Sequence, residues 1–117
     1  MGARILIVEH QESDLREITA RLNGNGHELV IARDVRSGVE AARRQRPRLI
    51  LCALVPPSDG TQLLLKLRLD SGFDDIPIVA VTRFGDERQS LLNVGFSGVI
   101  GKPITDAFLS EVESFLR

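Results

Sequence analysis

The chain has 117 residues, 43% of them hydrophobic and 26% charged, with a formal net charge of −1. That length suits one domain spanning residues 1–117, able to bury about two-thirds of its unfolded surface, and the charge offers no general pull toward nucleic acid or an anionic membrane. No apolar run approaches the roughly 18 residues of a membrane span, and the single cysteine, Cys52, has no partner for an internal disulfide. A lone thiol and the lack of a secretory apolar segment lead to the expectation of a cytoplasmic protein.

The first strand is the apolar run Ile5-Leu6-Ile7-Val8, followed by Glu9-His10. Ser13 is read as the cap of a first helix in which Leu15, Ile18, Thr19 and Leu22 recur at helical spacing, stopped by Asn23-Gly24-Asn25-Gly26. Leu29 to Ala32 form a second strand, and Asp34 or Ser37 opens a second helix that ends near Gln45, ahead of Pro47. The third strand, Leu49-Ile50-Leu51-Cys52, runs out at Ala53. Leu54 to Gly60 carries two adjacent prolines, which fix φ, and a glycine that permits a positive one, which predicts a turn. A third helix is expected from about Thr61 to Leu69, and Asp70 to Asp75 link it to a fourth strand, Ile76 to Thr82. The fourth helix spans about Asp86 to Val94 and is ended by Gly95. Val99-Ile100 is a short fifth strand. The last helix begins after Thr105 and sets Phe108, Val112, Phe115 and Leu116 on one stripe.

Strand and helix patterns thus alternate five times, which predicts an α/β domain with a five-stranded parallel sheet covered by helices on both faces. Ligands of such sheets collect in the crevice beyond the carboxyl ends of the strands. Glu9-His10, Ala53, Thr82-Arg83 and Lys102 all fall at that edge, so an acid, a hydroxyl and an ammonium group converge around a methyl.

Three segments carry a resemblance in order and spacing: Ile5 to Glu9, Asp75 to Thr82, and Gly101-Lys102-Pro103-Ile104. Together they make the whole chain resemble the receiver domains of two-component response regulators. The resemblance implies a flavodoxin-like fold with strand order 2-1-3-4-5. It also implies an aspartate on the third strand that accepts a phosphoryl group, a pair of acids on the first strand that help hold magnesium, and Thr and Lys groups on the phosphoryl oxygens. An aromatic on the fifth strand reports the change to a partner.

Against that pattern Ala53 stands at the phosphoacceptor position, and a methyl neither attacks phosphorus nor binds a cation. Glu9 keeps one acid of the pair while His10 replaces the other, leaving thin support for a hard cation that prefers oxygen ligands. Val99 stands where the aromatic reporter is implied, Arg83 follows Thr82 where a small residue is implied, and the loop before Gly60 is one residue short. No single substitution accounts for all of these departures. The resemblance therefore implies a degenerate pseudo-receiver, with Ala53 as the lost phosphoacceptor, Glu9 and His10 as a degenerate acidic pocket, Thr82, Val99 and Lys102 as switch equivalents, and Arg83 as a pocket neighbour.

Each of these residues also has a plainer role. Lys102 pairs structurally with Glu9 or binds an anion, and Arg83 reaches Glu9 and closes the pocket or stays exposed. His10 is a pH sensor or, with no Cys or second His at ligand spacing, unsuited to metal. Cys52 is an inert core thiol. The cluster Arg43-Arg44-Gln45-Arg46-Pro47-Arg48 complements a helix C-terminus or docks an acidic partner. Two faces are offered to partners: Phe84, Val99 and Phe108, provided they are exposed, and the first and last helices with Glu111 and Arg117.

The sequence reading is a receiver-like signalling domain of a two-component phosphorelay, not phosphorylated, not an enzyme, acting through a protein partner, with dimerisation left open. It has no cofactor, no metal, no direct nucleic-acid contact and no membrane contact. The alternative is a receiver that responds non-covalently to an anion or phosphodonor at Glu9, Thr82, Arg83 and Lys102. A flavin enzyme is disfavoured because His10-Gln11-Glu12-Ser13 lacks the hydroxyl- and glycine-rich turn that a flavin phosphate needs.

Overall fold

The computed structural model describes residues 2–53, 57–83 and 87–117. Five parallel strands, β1 (Arg4–Val8), β2 (Glu28–Ala32), β3 (Leu49–Cys52), β4 (Ile78–Thr82) and β5 (Gly98–Gly101), form one sheet in the order β2-β1-β3-β4-β5. The helices between and after them are α1 (Glu12–Leu22), α2 (Val35–Gln45), α3 (Pro57–Arg68), α4 (Arg88–Val94) and α5 (Phe108–Ser114). Both the alternation and the strand order agree with the sequence reading.

Successive side chains of a strand point to opposite faces, so each apolar run feeds two cores. Leu6, Val8, Ile50, Cys52, Ile78, Ala80 and Val99 join α2, α3 and α4 in one cluster that contains the buried Phe73 and Phe96. Ile5, Ile7, Leu49, Leu51, Ala53, Val79, Val81 and Ile100 join α1 and α5 in the other, around Ile18 and Phe108. The register sets Val8 beside Cys52, Cys52 beside Ala80, and Thr82 beside Gly101, which aligns the carboxyl ends of β1, β3, β4 and β5.

Helix ends show which local signals hold. At α2, Asp34 accepts from the Ser37 backbone N–H at 2.7 Å while the Ser37 hydroxyl faces the Asp34 N–H at 3.3 Å. Both candidate openers therefore act, as a reciprocal capping box. Gly95, at φ 129°, ends α4 as expected, and the run from Asn23 to Gly26 stops α1.

Three local expectations are corrected. Helix α1 starts at Glu12 behind Gln11, so Ser13 lies inside the first turn and is not its cap. Pro57 to Gly60 is not a turn but the opening of α3. A proline in the first helical turn gives up an N–H that has no partner there anyway, so the residue read as a breaker serves as a start. The link after α3 contains a 3₁₀ turn, Ser71–Phe73, in which Asp70 accepts from the Gly72 N–H at 3.0 Å and Phe73 is fully buried. Strand β4 begins at Ile78, two residues later than expected. The expected turn residues Leu54 to Pro56, and Asp86 at the expected start of the fourth helix, lie outside the described residues.

Candidate functional site

The site is assembled by backbone bonds across the sheet's carboxyl edge. Glu9 N–H donates to Ala32 O at 3.0 Å, Ala53 N–H to Val8 O at 2.9 Å, and Lys102 N–H to Thr82 O at 2.8 Å. These bonds carry the ladder one residue past β1, β3 and β5. Glu9, Ala53, Thr82 and Lys102 are thereby brought to one edge, as the sequence reading expected. Lys102 leads into a cis peptide to Pro103.

At the centre is the Lys102 ammonium group, whose side chain is 2% exposed. It donates to Glu9 Oε2 at 3.2 Å and to Asp14 Oδ2 at 2.9 Å. Glu9 is fully buried, and its other oxygen, Oε1, accepts from the Gln11 N–H at 3.0 Å, fixing the carboxylate over the entry to α1. Arg83 Nη2 donates to both Asp14 oxygens, at 3.1 and 3.3 Å, from a side chain that is 57% exposed. The pairing of Lys102 with Glu9 is present, whereas Arg83 meets Asp14 and not Glu9.

Asp14 is the member of the site that sequence reasoning missed. It stands one residue before Leu15 and four before Ile18, on the buried stripe of α1 with Leu22. A carboxylate on an otherwise apolar helical stripe was the available signal, because buried acids need partners. The hydrogen bond from Lys102 holds its carboxyl below the usual carboxylate range, with the Lys102 and Arg83 charges acting in the same direction and burial opposing them. Its place in the first turn of α1 also suits the helix dipole.

The remaining predicted site residues divide clearly. Ala53 is fully buried in the α1/α5 cluster, and Thr82 is buried at the end of β4. His10 is exposed. Val99 and Phe108 are buried, so the candidate partner face does not meet its condition of exposure: Val99 packs into the α2/α3/α4 core and Phe108 into the α1/α5 core. Phe84 lies outside the described residues. Among the described residues, no group of three or more His, Cys, Asp or Glu side chains is placed to hold a metal, and no helix is long and apolar enough to cross a membrane.

Arg43, Arg44, Arg46 and Arg48, at the end of α2 and just after it, are all exposed, although some of them also touch the fold. Arg46 ends the helix at φ 49° with its guanidinium 5.0 Å from the Phe73 ring centre, and Arg48 donates to Leu116 O at 3.3 Å. A cleft of about 980 Å³ lies between α2 and α3, with Val39, Arg43, Lys66 and Leu69 in its lining. None of its lining residues belongs to the Lys102 cluster.

Comparison with known proteins follows the same geometry. The family described as "Response regulator receiver domain" matches residues 5–112. Response regulator PleD of Caulobacter vibrioides (strain NA1000 / CB15N) is 34% identical over 122 aligned residues, covering 100% of this chain and 27% of PleD. Protein PilH of Pseudomonas aeruginosa is 30% identical over 110 residues, covering 92% of this chain and 91% of PilH. The chain therefore spans about a quarter of one relative and nearly all of the other. The structure of the chemotaxis response regulator CheY4 of Vibrio cholerae superposes with a TM-score of 0.87 at 22% identity over 100% of both chains, a likeness of fold.

Proposed function

The chain belongs to the response regulator receiver domain family, and on that premise we propose that it is a pseudo-receiver: it is not phosphorylated, is not an enzyme, and signals by binding a protein partner. The observation that carries this reading is Ala53. Its methyl sits fully buried at the end of β3, in the same apolar cluster as Leu15 and Ile104. Nothing at that position can attack phosphorus.

The cation side of the pocket agrees. A lysine that is to stabilise incoming phosphoryl oxygens has to offer its ammonium group to them, whereas the Lys102 side chain is 2% exposed and its ammonium is held by two internal carboxylates. Of the acid pair implied for magnesium, Glu9 is engaged with Lys102 and the Gln11 N–H, and His10 faces solvent. The alternative, a receiver switched by a non-covalent anion at Glu9, Thr82, Arg83 and Lys102, would have to displace those internal contacts. The fixed module is therefore the better reading.

Amide NMR of the labelled domain, titrated with magnesium and then with beryllofluoride as a mimic of the aspartyl phosphate, tests it. Unmoved resonances at Glu9, Ala53, Thr82 and Lys102 are expected. Saturable shifts there, spreading to Val99 and α5, would overturn the reading in favour of a ligand-responsive switch.

A further inference from the structure

Two cations meet at one carboxylate. Lys102 comes from the end of β5 and Arg83 from the end of β4, and both donate to Asp14, at 2.9 Å and at 3.1 and 3.3 Å. Lys102 is nearer to Asp14 than to Glu9, although Glu9 is the acid that the sheet edge itself supplies. What Asp14 presents to Lys102 and Arg83 is what a phosphate-class anion would present: negative oxygens at hydrogen-bond distance, one shared between the two donors.

We propose that Asp14 is an internal ligand, its carboxylate filling the oxyanion position that Lys102 and Arg83 form and keeping an inorganic phosphate-class anion out. The inference rests on the pseudo-receiver reading and deepens it, since it names what occupies the site in place of a phosphoryl group. A ligand tethered in the first turn of α1 competes at the effective concentration of an intramolecular group, which a free anion has to exceed. The cluster holds two positive and two negative side chains, Lys102 and Arg83 against Glu9 and Asp14. Neutralising Asp14 leaves it with an excess positive charge and releases Arg83 from this carboxylate, the two conditions for an oxyanion site to open.

The test uses the intact labelled chain and inorganic phosphate, comparing wild type, Asp14→Asn and Asp14→Asn/Lys102→Gln by amide NMR. In the wild type the resonances of Glu9, Arg83 and Lys102 stay fixed. In Asp14→Asn they shift saturably, and the double variant loses that response. A folded Asp14→Asn that ignores phosphate, while the wild type is also inert, would overturn the internal ligand and leave the pseudo-receiver reading standing. Saturable phosphate shifts in the wild type would overturn both. If Asp14→Asn does not fold, the wild type still decides: a nuclear Overhauser contact between the Lys102 ammonium protons and the Asp14 β-protons is expected, and its absence would overturn the proposal.

Discussion

The two edges of the sheet handle charge in opposite ways. At the amino edge Ala3 N–H donates to His27 Nδ1 at 3.0 Å, and the other ring nitrogen meets Glu113 Oε2 at 3.0 Å. A ring nitrogen that accepts carries no proton, so Nε2 is the donor to Glu113, whose side chain is 40% exposed. Arg4 nearby divides its contacts between the exposed Glu28 and the Gln45 carbonyl. Charge here stays wet, and the buried contacts run to the ring and the backbone. At the carboxyl edge, by contrast, Lys102, Glu9 and Asp14 are withdrawn from water together. A buried ion pair is no better for stability than apolar packing of the same volume, and often worse. Stability alone therefore gives no reason for the charges at the carboxyl edge, whereas those at the amino edge close the chain's first strand onto β2 and α5.

The largest effect should come from breaking the buried side of this comparison. Lys102→Met removes the cation while leaving Glu9 fully buried and Asp14 nearly so. A loss of about 3–5 kcal/mol is expected, read from the denaturant midpoint. The matched change at the amino edge, Glu113→Gln, keeps an acceptor for His27 and should cost no more than about 1 kcal/mol. Equal losses would erase the distinction between the edges. A sharper form replaces all three groups: Glu9→Leu/Asp14→Leu/Lys102→Met should recover most of what Lys102→Met alone loses.

Next in size is His27→Ala. It strands the Ala3 N–H and removes a side chain that is only 3% exposed, so about 1–3 kcal/mol should be lost by the same measurement. The loss should appear without any change at the resonances of Lys102 or Glu9, because no hydrogen bond or ion pair among the described residues joins the two edges. Coupled shifts would show that the comparison treats as separate what is one network.

How far the sequence showed these two edges differs for a physical reason. Strands buried on both faces announce themselves as continuous apolar runs, so β1 and β3 were legible, as was a helix opening at Asp34 or Ser37, whereas the strand order came from the family resemblance. The convergence of Glu9, Ala53, Thr82 and Lys102 was legible too, because each follows the end of a strand. Asp14 was not, since its partners lie 69 and 88 residues away and no local pattern names them. Only its position on the α1 stripe gave a sign. Pro57 was misread because a proline marks a helix start as readily as a turn, and His27 gave no signal because its partner Glu113 lies 86 residues on.

The pH response should distinguish the edges more gently. The Asp14 carboxyl is held below its ordinary value by the Lys102 hydrogen bond. A carboxylate lowered in the folded state contributes stability that is fully present above its unfolded value of about 3.9 and is lost as pH falls below it. Unfolding free energy should therefore fall on acidification through that range in the wild type. Asp14→Asn should flatten the slope, and Glu113→Gln should leave the Asp14 part of it in place. An identical slope in Asp14→Asn would remove Asp14 from the account.

The smallest effect belongs to Arg83. It carries the same formal charge as Lys102 and touches the same carboxylate, yet its side chain is 57% exposed where that of Lys102 is 2% exposed. An exposed pair gains little, because water and salt screen it and a long side chain is immobilised to make it. Arg83→Ala should therefore cost at most about 1 kcal/mol, and less as salt is raised, while the cost of Lys102→Met should scarcely depend on salt. Two cations on one carboxylate would then differ severalfold in effect through burial alone. Equal, salt-insensitive losses would mean that Arg83 is as enclosed as Lys102 in solution, and the contrast between a dry charge cluster and a wet one would have to be redrawn around all four groups.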